Sequence, residues 1–387
     1  MSSPVDALVR SDADDAGAEG LRRSRRDRLN EAMVAHDLDA LVLSRPANVH
    51  YATGARQYWM AGTRPVGPAC VVIRATGRTH LLSVSDDGVP AEIAHDDLFG
   101  PSWNPADTAA ALRSIPALAA ARTIGTDSST PGLAARLRAV APGAEIVDAT
   151  PAIWAARTTK TEAELTNIAA AVAIATAGLA AMSDALRPGV TERELLGVYL
   201  ERVASLGAPN PPTEGVVCAT GIHGVPVLRH LATDRAVEET DLVVLDPGAL
   251  VAGAEGGIGR TRPVATVRSR PQEDLAVRCR RALDAVIDRC RAGAAGHDLL
   301  QVWRSSGEAL PPVPLVHGVG LGMEPPLIGA GIDDEVTLTT GSVLSVTGWV
   351  AEKGVGGWLE RDLVVVGDGP PTVVTATGHG HGEGGAQ

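Results

Sequence analysis

The chain has 387 residues and a formal net charge of −12 at pH 7, and 45% of its residues are hydrophobic. This length suits two domains, and the negative charge argues against a nucleic-acid-binding surface, which needs clustered Lys and Arg. The first residues lack the basic and apolar segments of a secretory signal, and no apolar run has the length of a membrane span. We therefore expect a cytoplasmic protein without membrane or nucleic-acid partners.

The N-terminal part of the chain predicts a small α/β domain. Residues 1–20 are polar and acidic and predict a disordered arm, and the Gly- and His-rich residues 376–387 predict a flexible tail. Residues 22–150 alternate short apolar strands with helical patterns, which is typical of α/β domains. The predicted strands are Ala40–Leu43, Cys70–Ile73, His80–Ser83 and Glu145–Val147, and the predicted helices are Ala109–Leu118 and Leu133–Val140.

Residues 157–370 follow a different plan. Thr161-Glu-Ala-Glu164 and Thr191-Glu-Arg-Glu194 are capping boxes, which predict the starts of two helices. Strand-like segments follow, and after Pro271 the order of two helices and several strands recurs. Two such halves predict a pseudo-symmetric α+β domain with a curved antiparallel sheet. The four cysteines show neither a CxxC pair nor zinc spacing and are expected to be buried thiols.

One stretch places a single carboxylate between two strands. An apolar strand ends at Asp246, a Gly-rich turn follows, and a second strand returns with Arg260 and Thr261. On its own, an Asp after a strand is an ordinary turn residue. Three further stretches change this interpretation: His230 with Thr233-Asp-Arg, His317-Gly-Val-Gly-Leu-Gly-Met-Glu324-Pro-Pro, and Gly356-Gly-Trp-Leu-Glu360-Arg-Asp-Leu.

Together these stretches resemble the pita-bread family of Xaa-Pro aminopeptidases, methionine aminopeptidases and creatinase. The resemblance covers nearly the whole chain. It implies a creatinase-type α/β N-terminal domain over residues 22–150 and a pita-bread catalytic domain over residues 157–370. It also implies a homodimer.

The resemblance assigns an incomplete metal site. In metallopeptidase members five residues hold two divalent ions, and three of these positions match Asp246, His317 and Glu360. The second Asp of the hairpin is replaced by Gly257, and the Glu of a later strand is replaced by Thr347. A further family His, just before Glu-Pro-Pro, is replaced by Met323.

Charge argues against the usual two-metal centre. Four carboxylates offset two divalent ions in an intact site, whereas Asp246 and Glu360 alone would leave two positive charges uncompensated. No cofactor is therefore favoured. One Mn, Fe or Zn ion on Asp246, His317 and Glu360 remains open, with Glu255 or Glu352 as further ligands.

Creatinase offers a metal-free precedent within the resemblance, in which a His on the loop before the hairpin is the general acid/base. His230 is the nearest match, and His223 competes with it. The resemblance then implies catalytic roles for His230, His317 and Glu360. It implies substrate-binding roles for Asp246, Glu324, Trp349 and Trp358.

Several of these residues also have an ordinary structural explanation. His230 can be a surface residue, and Glu324 can simply precede the two prolines. The two Trp side chains can belong to the core instead of a cleft.

The favoured hypothesis is a metal-independent, creatinase-like hydrolase that cleaves an amide or amidine C–N bond in a small amino-bearing substrate. A carboxylate-lined pocket favours such a cationic ligand. Two alternatives are retained. One is a divergent metal-dependent Xaa-Pro aminopeptidase or dipeptidase, and the other is a non-catalytic pita-bread protein that binds a ligand or partner.

Overall fold

The structure is a computed structural model that describes residues 15–55, 69–83, 86–100, 104–212, 215–223, 225–332 and 335–375. These residues form two compact units, which meet along the chain between Arg157 and Thr158. The first helix begins at Asp15, so residues 15–20 are helical and do not belong to the predicted arm. Residues 1–14 and the predicted tail at 376–387 lie outside the described residues.

The N-terminal unit is a mixed sheet with helices. Its helices are α1 (Asp15–Ala35), α2 (Pro46–Thr53), α3 (Pro105–Arg113), α4 (Pro116–Ala119), α5 (Pro131–Val140) and α6 (Thr150–Arg157). Its strands are β1 (Ala40–Leu43), β2 (Cys70–Ile73), β3 (Thr79–Leu82), β4 (Leu98–Phe99), β5 (Thr123–Thr126) and β6 (Glu145–Asp148). The strand order is β4-β3-β2-β1-β5-β6, with both parallel and antiparallel pairs.

The prediction of an α/β N-terminal domain is confirmed, with one local difference. The single helix predicted over Ala109–Leu118 is two helices, because α3 ends at Arg113 and α4 starts at Pro116. Proline has no backbone N–H and is therefore favoured in the first turn of a helix and disfavoured in its interior.

The C-terminal unit contains the longer helices and an antiparallel sheet. Its helices are α7 (Glu162–Ala185), α8 (Glu192–Ser205), α9 (Arg270–Arg289) and α10 (Gly296–Ser305). Its strands are β7 (Val216–Thr220), β8 (Leu242–Asp246), β9 (Gly248–Val251), β10 (Ala254–Gly257), β11 (Gly259–Pro263), β12 (Val316–Gly320), β13 (Gly322–Ile328), β14 (Val343–Glu352), β15 (Gly356–Val365) and β16 (Thr372–Val373).

Both predicted capping boxes are confirmed. The Thr161 hydroxyl accepts from the Glu164 backbone N–H at 3.1 Å, and the Glu164 carboxylate accepts from the Thr161 backbone N–H at 3.0 Å. The same reciprocal pair joins Thr191 and Glu194 at the start of α8. Each box satisfies two backbone donors that a helix N-terminus would otherwise leave unpaired.

Helix α7 differs from one expectation. Its length and composition alone would suit a membrane span, although the sequence was expected to contain no such segment. One face of α7 is nevertheless buried within the C-terminal unit, where Ile174 and Leu179 form a hydrophobic cluster with Leu195 and Tyr199 of α8. The apolar character of α7 is that of a core helix.

The sheet of the C-terminal unit determines which side chains can meet. Its strand order is β13-β12-β14-β15-β11-β8-β7, and the neighbouring strands pair antiparallel, as predicted. Helix α9 packs on β14 and β15, and helix α7 packs on the separate hairpin of β9 and β10. The four cysteines are buried and free.

Candidate active site

Strand register brings three of the candidate side chains to one face of the sheet. On β15, Arg361 is the Cα partner of Thr347 on β14. His317 on β12 is the Cα partner of Ser345, which precedes Thr347 by two residues. Because residues i and i+2 of a strand point to the same side, His317, Thr347 and Arg361 share a face. This face is called the site face below.

Asp246 lies on the site face beside Arg361. The Asp246 Oδ1 atom is 2.6 Å from Nη2 of Arg361, and the two side chains are only 13% and 14% exposed. The contact is an ion pair and not an aligned hydrogen bond. Asp246 Oδ1 and Arg361 Nε are both buried, and neither has a hydrogen-bond partner among the described residues. Buried polar atoms without a partner are rare in native proteins and call for a specific explanation.

The guanidinium of Arg361 fills the space next to Gly257. A Cβ atom added at Gly257 would lie 2.5 Å from Arg361 Nη2, which is closer than real Cβ atoms approach. Gly257 is the position where the resemblance places the second Asp of the hairpin. Arg361 therefore occupies the space into which that carboxylate would project.

Glu360 lies on the opposite face of the sheet. Its Cα partners are Arg260 and Gly348, and a Cβ atom added at Gly348 would lie 3.2 Å from Sγ of Cys279 on α9. The Glu360 carboxylate is 3.0 Å from Arg280 Nη1, also on α9. The expected convergence of Asp246, His317 and Glu360 is thus not found, because adjacent residues of a strand point to opposite faces. The residue of β15 that meets Asp246 is Arg361.

His317 is buried and neutral. Its Nδ1 lies 3.1 Å from the Gly318 carbonyl oxygen, and since a carbonyl can only accept, Nδ1 carries the proton and Nε2 does not. Burial lowers the pKa of His317 to about 4, and the charge of Arg361 acts in the same direction. Near neutral pH the imidazole therefore has a free lone pair at Nε2.

Glu324 is held by a lysine. Lys160 Nζ lies 2.9 Å from Glu324 Oε2, and these side chains are 4% and 2% exposed. The other oxygen, Oε1, accepts from the Leu321 backbone N–H at 3.1 Å. The ion pair with Lys160 fixes the position of the Glu324 side chain. Glu324 therefore does more than precede the two prolines.

Glu255 is a carboxylate on the hairpin of β9 and β10. It precedes Gly257 by two residues and therefore points to the same side, whereas a Cβ atom at the intervening Gly256 would meet the backbone of α7. Burial raises the pKa of Glu255, the charge of Arg361 opposes this rise, and the charges of Asp246 and Glu324 add to it. No hydrogen bond or ion pair of Glu255 is found within the described ranges.

The two candidate histidines of the loop between β7 and β8 are exposed. Within the described residues, no hydrogen bond joins His230 to Asp246 or His317. The loop is instead anchored by Glu192, which accepts from Arg229 Nη1 at 3.0 Å and from the Thr233 hydroxyl at 2.7 Å. The motif after His230 therefore positions the loop, whereas the role assigned to His230 remains a prediction.

The two candidate tryptophans lie on opposite faces. Trp349 is 7% exposed and packs with Val244 and Leu359 on the site-face side. Trp358 is 4% exposed, and its Nε1–H donates to Glu360 Oε1 at 3.1 Å on the face covered by α9. Trp358 therefore cannot share a pocket on the site face with Asp246.

The side chains on the site face do not fit a pair of divalent ions. Asp246 already has a cationic partner in Arg361, and Glu324 has one in Lys160. Glu360 lies on the other face, with Arg280. No group of three or more His, Cys, Asp or Glu suited to a metal ion occurs in the described part of the chain. A divalent ion beside Asp246 would lie against a guanidinium, which repels it.

Sequence reasoning missed two residues of this site, Arg361 and Lys160, and it named Glu255 only as a possible further metal ligand. The sequence did contain a signal for Arg361, because Arg361 follows Glu360 directly. Side chains alternate between the two faces of a strand, so a shift by one residue puts Arg361 in the place of Glu360. No sequence signal connected Lys160 with Glu324, since 164 positions separate them.

Comparison with known proteins agrees with this architecture. The model of the creatinase/prolidase N-terminal domain matches residues 25–159, and the model of metallopeptidase family M24 matches residues 166–368. Comparison with curated protein sequences finds no match.

Several solved structures are similar to the whole chain. The prolidase from Pyrococcus horikoshii is 21% identical, with 91% of this chain and 97% of that chain covered and a TM-score of 0.74. The Xaa-Pro dipeptidase from Bacillus anthracis is 19% identical (92% and 97% covered, TM-score 0.74), and dipeptidase PepE from Mycobacterium ulcerans is 23% identical (92% and 95%, TM-score 0.72). With its creatinase-type N-terminal domain and pita-bread catalytic domain, the chain belongs to metallopeptidase family M24.

Proposed function

We propose that this chain hydrolyses an amide C–N bond in a small substrate, and that Arg361 supplies the positive charge that metal ions supply in typical members of the family. The hydrolase class is supported by the family match. The observation that carries the metal-free mechanism is the ion pair of Arg361 and Asp246, in which the guanidinium fills the space beside Gly257.

The site face offers the two functions that amide hydrolysis needs. A guanidinium in a largely desolvated site stabilises negative charge that develops on a carbonyl oxygen. Proton transfer requires a group with a free lone pair within reach of the attacking water, and Nε2 of His317 has one. Asp246 holds the guanidinium in place through the ion pair.

The test is hydrolysis by metal-free protein. Protein dialysed against EDTA, with its metal content measured by mass spectrometry, is assayed with Xaa-Pro dipeptides and simple amides. We expect turnover that EDTA does not change, a loss of at least about 100-fold in Arg361→Met, and partial recovery in Arg361→Lys. Activity that disappears in EDTA and returns with Mn would contradict the proposal.

A second candidate is a divergent metal-dependent Xaa-Pro peptidase. The comparisons support this alternative better than a creatinase-like enzyme, because the similar structures are named prolidase, Xaa-Pro dipeptidase and dipeptidase. It requires Arg361 to leave Asp246 when a metal binds. The EDTA assay separates the two candidates, and absence of turnover with or without Mn would favour a ligand-binding role.

The homodimer and the cytoplasmic location expected from the sequence are kept as parts of this proposal. Light scattering coupled to size-exclusion chromatography tests the first. A mass of twice the 39.7 kDa chain is expected.

A further inference from the structure

Two arginines on the face opposite the site face have no carboxylate partner among the residues that the structure describes. Arg262 on β11 follows Arg260 by two residues, so both point to the face that α9 covers. The Arg262 guanidinium makes one hydrogen bond in this part of the chain, from Nη1 to the Thr261 carbonyl oxygen at 3.4 Å. Arg268, between β11 and α9, lies 5.3 Å from the centroid of the Trp358 ring and forms no ion pair with another described residue.

The two carboxylates of β15 on this face are already paired with other groups. Glu360 Oε2 is 3.0 Å from Arg280 Nη1, and Glu360 Oε1 accepts from Trp358 Nε1 at 3.1 Å. Asp362 Oδ1 is 2.6 Å from Arg260 Nη2, and Asp362 Oδ2 is 2.7 Å from Arg280 Nη1. Each of the four oxygens thus has a donor that belongs to neither of the two arginines without a partner.

Positive charge is in excess around Arg262. Four arginines and three acids lie here: Arg260, Arg262, Arg268, Arg280, Asp284, Glu360 and Asp362. The Asp284 side chain is 58% exposed, so solvent screens its charge.

The neighbouring charges act on Arg262 itself. Burial lowers the pKa of Arg262, and the charge of Arg260 adds to this effect. The charge of Glu360 opposes it, whereas that of Arg268 lowers the pKa further. An arginine nevertheless keeps its proton in a protein, so the repulsion persists until an anion relieves it.

The fold holds both guanidinium groups in position while a ligand can still reach them. Arg262 is half-buried on β11, which lies between β8 and β15 in the sheet. Arg268 is exposed, and its contact with the buried ring of Trp358 is a cation–π interaction. Helix α9 begins two residues later at Arg270, and the N-terminus of a helix adds partial positive charge.

We propose that Arg262 and Arg268 together bind a phosphate group, either inorganic phosphate or the phosphate of a small monoester. The planar fork of a guanidinium matches the oxygens of a phosphate, and a phosphate near neutral pH carries up to two negative charges. Two guanidinium groups without a carboxylate fit such a dianion better than a single carboxylate. This site lies on the other face of the sheet from Asp246 and is independent of the proposed hydrolysis.

The experiment measures phosphate binding to the full chain in HEPES buffer at pH 8, with the ionic strength held constant by NaCl. Calorimetry gives the Kd of inorganic phosphate, methyl phosphate and acetate. Thermal unfolding is expected to shift upward by at least about 2 °C at a phosphate concentration tenfold above the Kd. Arg262→Gln and Arg268→Gln are each expected to weaken phosphate binding, Arg262→Gln by at least about tenfold. The control is Arg304→Gln on the exposed side of α10, which removes the same charge and should keep the wild-type Kd.

A second measurement shows whether Arg262 has a partner within the protein. Without phosphate, Arg262→Gln should unfold at the same temperature as wild type or higher, because the substitution removes a charge that other arginines repel. A markedly lower unfolding temperature would assign Arg262 to an internal contact and overturn the proposal.

The binding results lead to separate conclusions. Methyl phosphate that binds as tightly as inorganic phosphate supports a site for phosphate monoesters, and tighter binding of inorganic phosphate supports a site for the free ion. Absence of phosphate binding overturns the proposal. It is also overturned if acetate binds equally well, or if Arg304→Gln weakens binding as much as Arg262→Gln does.

Discussion

Arg361 Nη2 lies 2.6 Å from Asp246 Oδ1, so the strand residue next to the predicted ligand Glu360 neutralises the carboxylate on which a metal centre would be built. The same guanidinium occupies the space at Gly257. Arg361 thus pairs with the retained Asp246 and also fills the space of the Asp that Gly257 replaces.

Removal of one partner of the Arg361–Asp246 ion pair should lower the free energy of unfolding more than removal of both partners. Arg361→Met leaves Asp246 as a largely buried, unpaired carboxylate, and we expect a loss of about 3 kcal/mol in the free energy of unfolding. Arg361→Met combined with Asp246→Asn should recover most of that loss. Urea denaturation of the two single variants and the double variant measures the coupling. Additive effects would show that the pair contributes nothing to stability.

Metal binding should be restored by substitutions at three positions. Gly257→Asp alone is expected to destabilise the fold, because the new side chain meets Arg361. Gly257→Asp combined with Thr347→Glu and Arg361→Glu removes the guanidinium and adds three carboxylates near Asp246 and His317. Equilibrium dialysis should detect Mn bound to this triple variant but not to wild type. Addition of His317→Ala to the triple variant should weaken its Mn binding.

Glu255→Gln should stabilise the fold. An acid whose pKa is raised in the folded state contributes stability below its unfolded pKa, and this stability is lost as pH rises through the folded pKa. The gain from Gln should therefore be larger at pH 8 than at pH 5, about 1 kcal/mol in the free energy of unfolding. Thermal unfolding at both pH values measures it. Destabilisation at pH 8 would show that Glu255 has a cationic partner.

His317 should make the protein sensitive to mild acid. Its pKa is about 4 when folded and near 6.5 when unfolded, so only the unfolded state takes up a proton between these values. Stability is then lost as pH falls from 7 to 5, by about 2 kcal/mol from this residue. His317→Gln should lose less stability over the same range. Equal losses in the two proteins would mean that His317 is not held neutral.

His230→Ala tests the general acid/base role predicted from the sequence. Because the side chain is exposed, we expect stability to change by less than about 0.5 kcal/mol. If the residues of the site face are sufficient for proton transfer, turnover should also remain within a few-fold of wild type. A loss of about 100-fold in kcat would show that His230 takes part in proton transfer.

The fold was predictable because its signals are local. The capping boxes at Thr161 and Thr191 and the alternation of strands and helices depend on neighbouring residues, and the structure confirms them. Asp246 ends a strand and His317 lies within one, and the structure has both on the site face, while their functional roles stay predictions. Loss of the ligand at Gly257 was visible from the chain alone.

The partners of these residues were not predictable in the same way. Arg361 and Asp246 are far apart along the chain, and their contact depends on the register of three strands. A shift by one position exchanges Glu360 for Arg361 and reverses the charge that faces Asp246. The pairing of Lys160 with Glu324 likewise depends on tertiary packing.

The guanidinium of Arg361 has a consequence for how this protein is assembled in a cell. A charge that is encoded in the polypeptide is present as soon as the chain folds. It needs no loading step, cannot be exchanged for a competing ion, and does not vary with the supply of trace elements. Only a mutation can take it away.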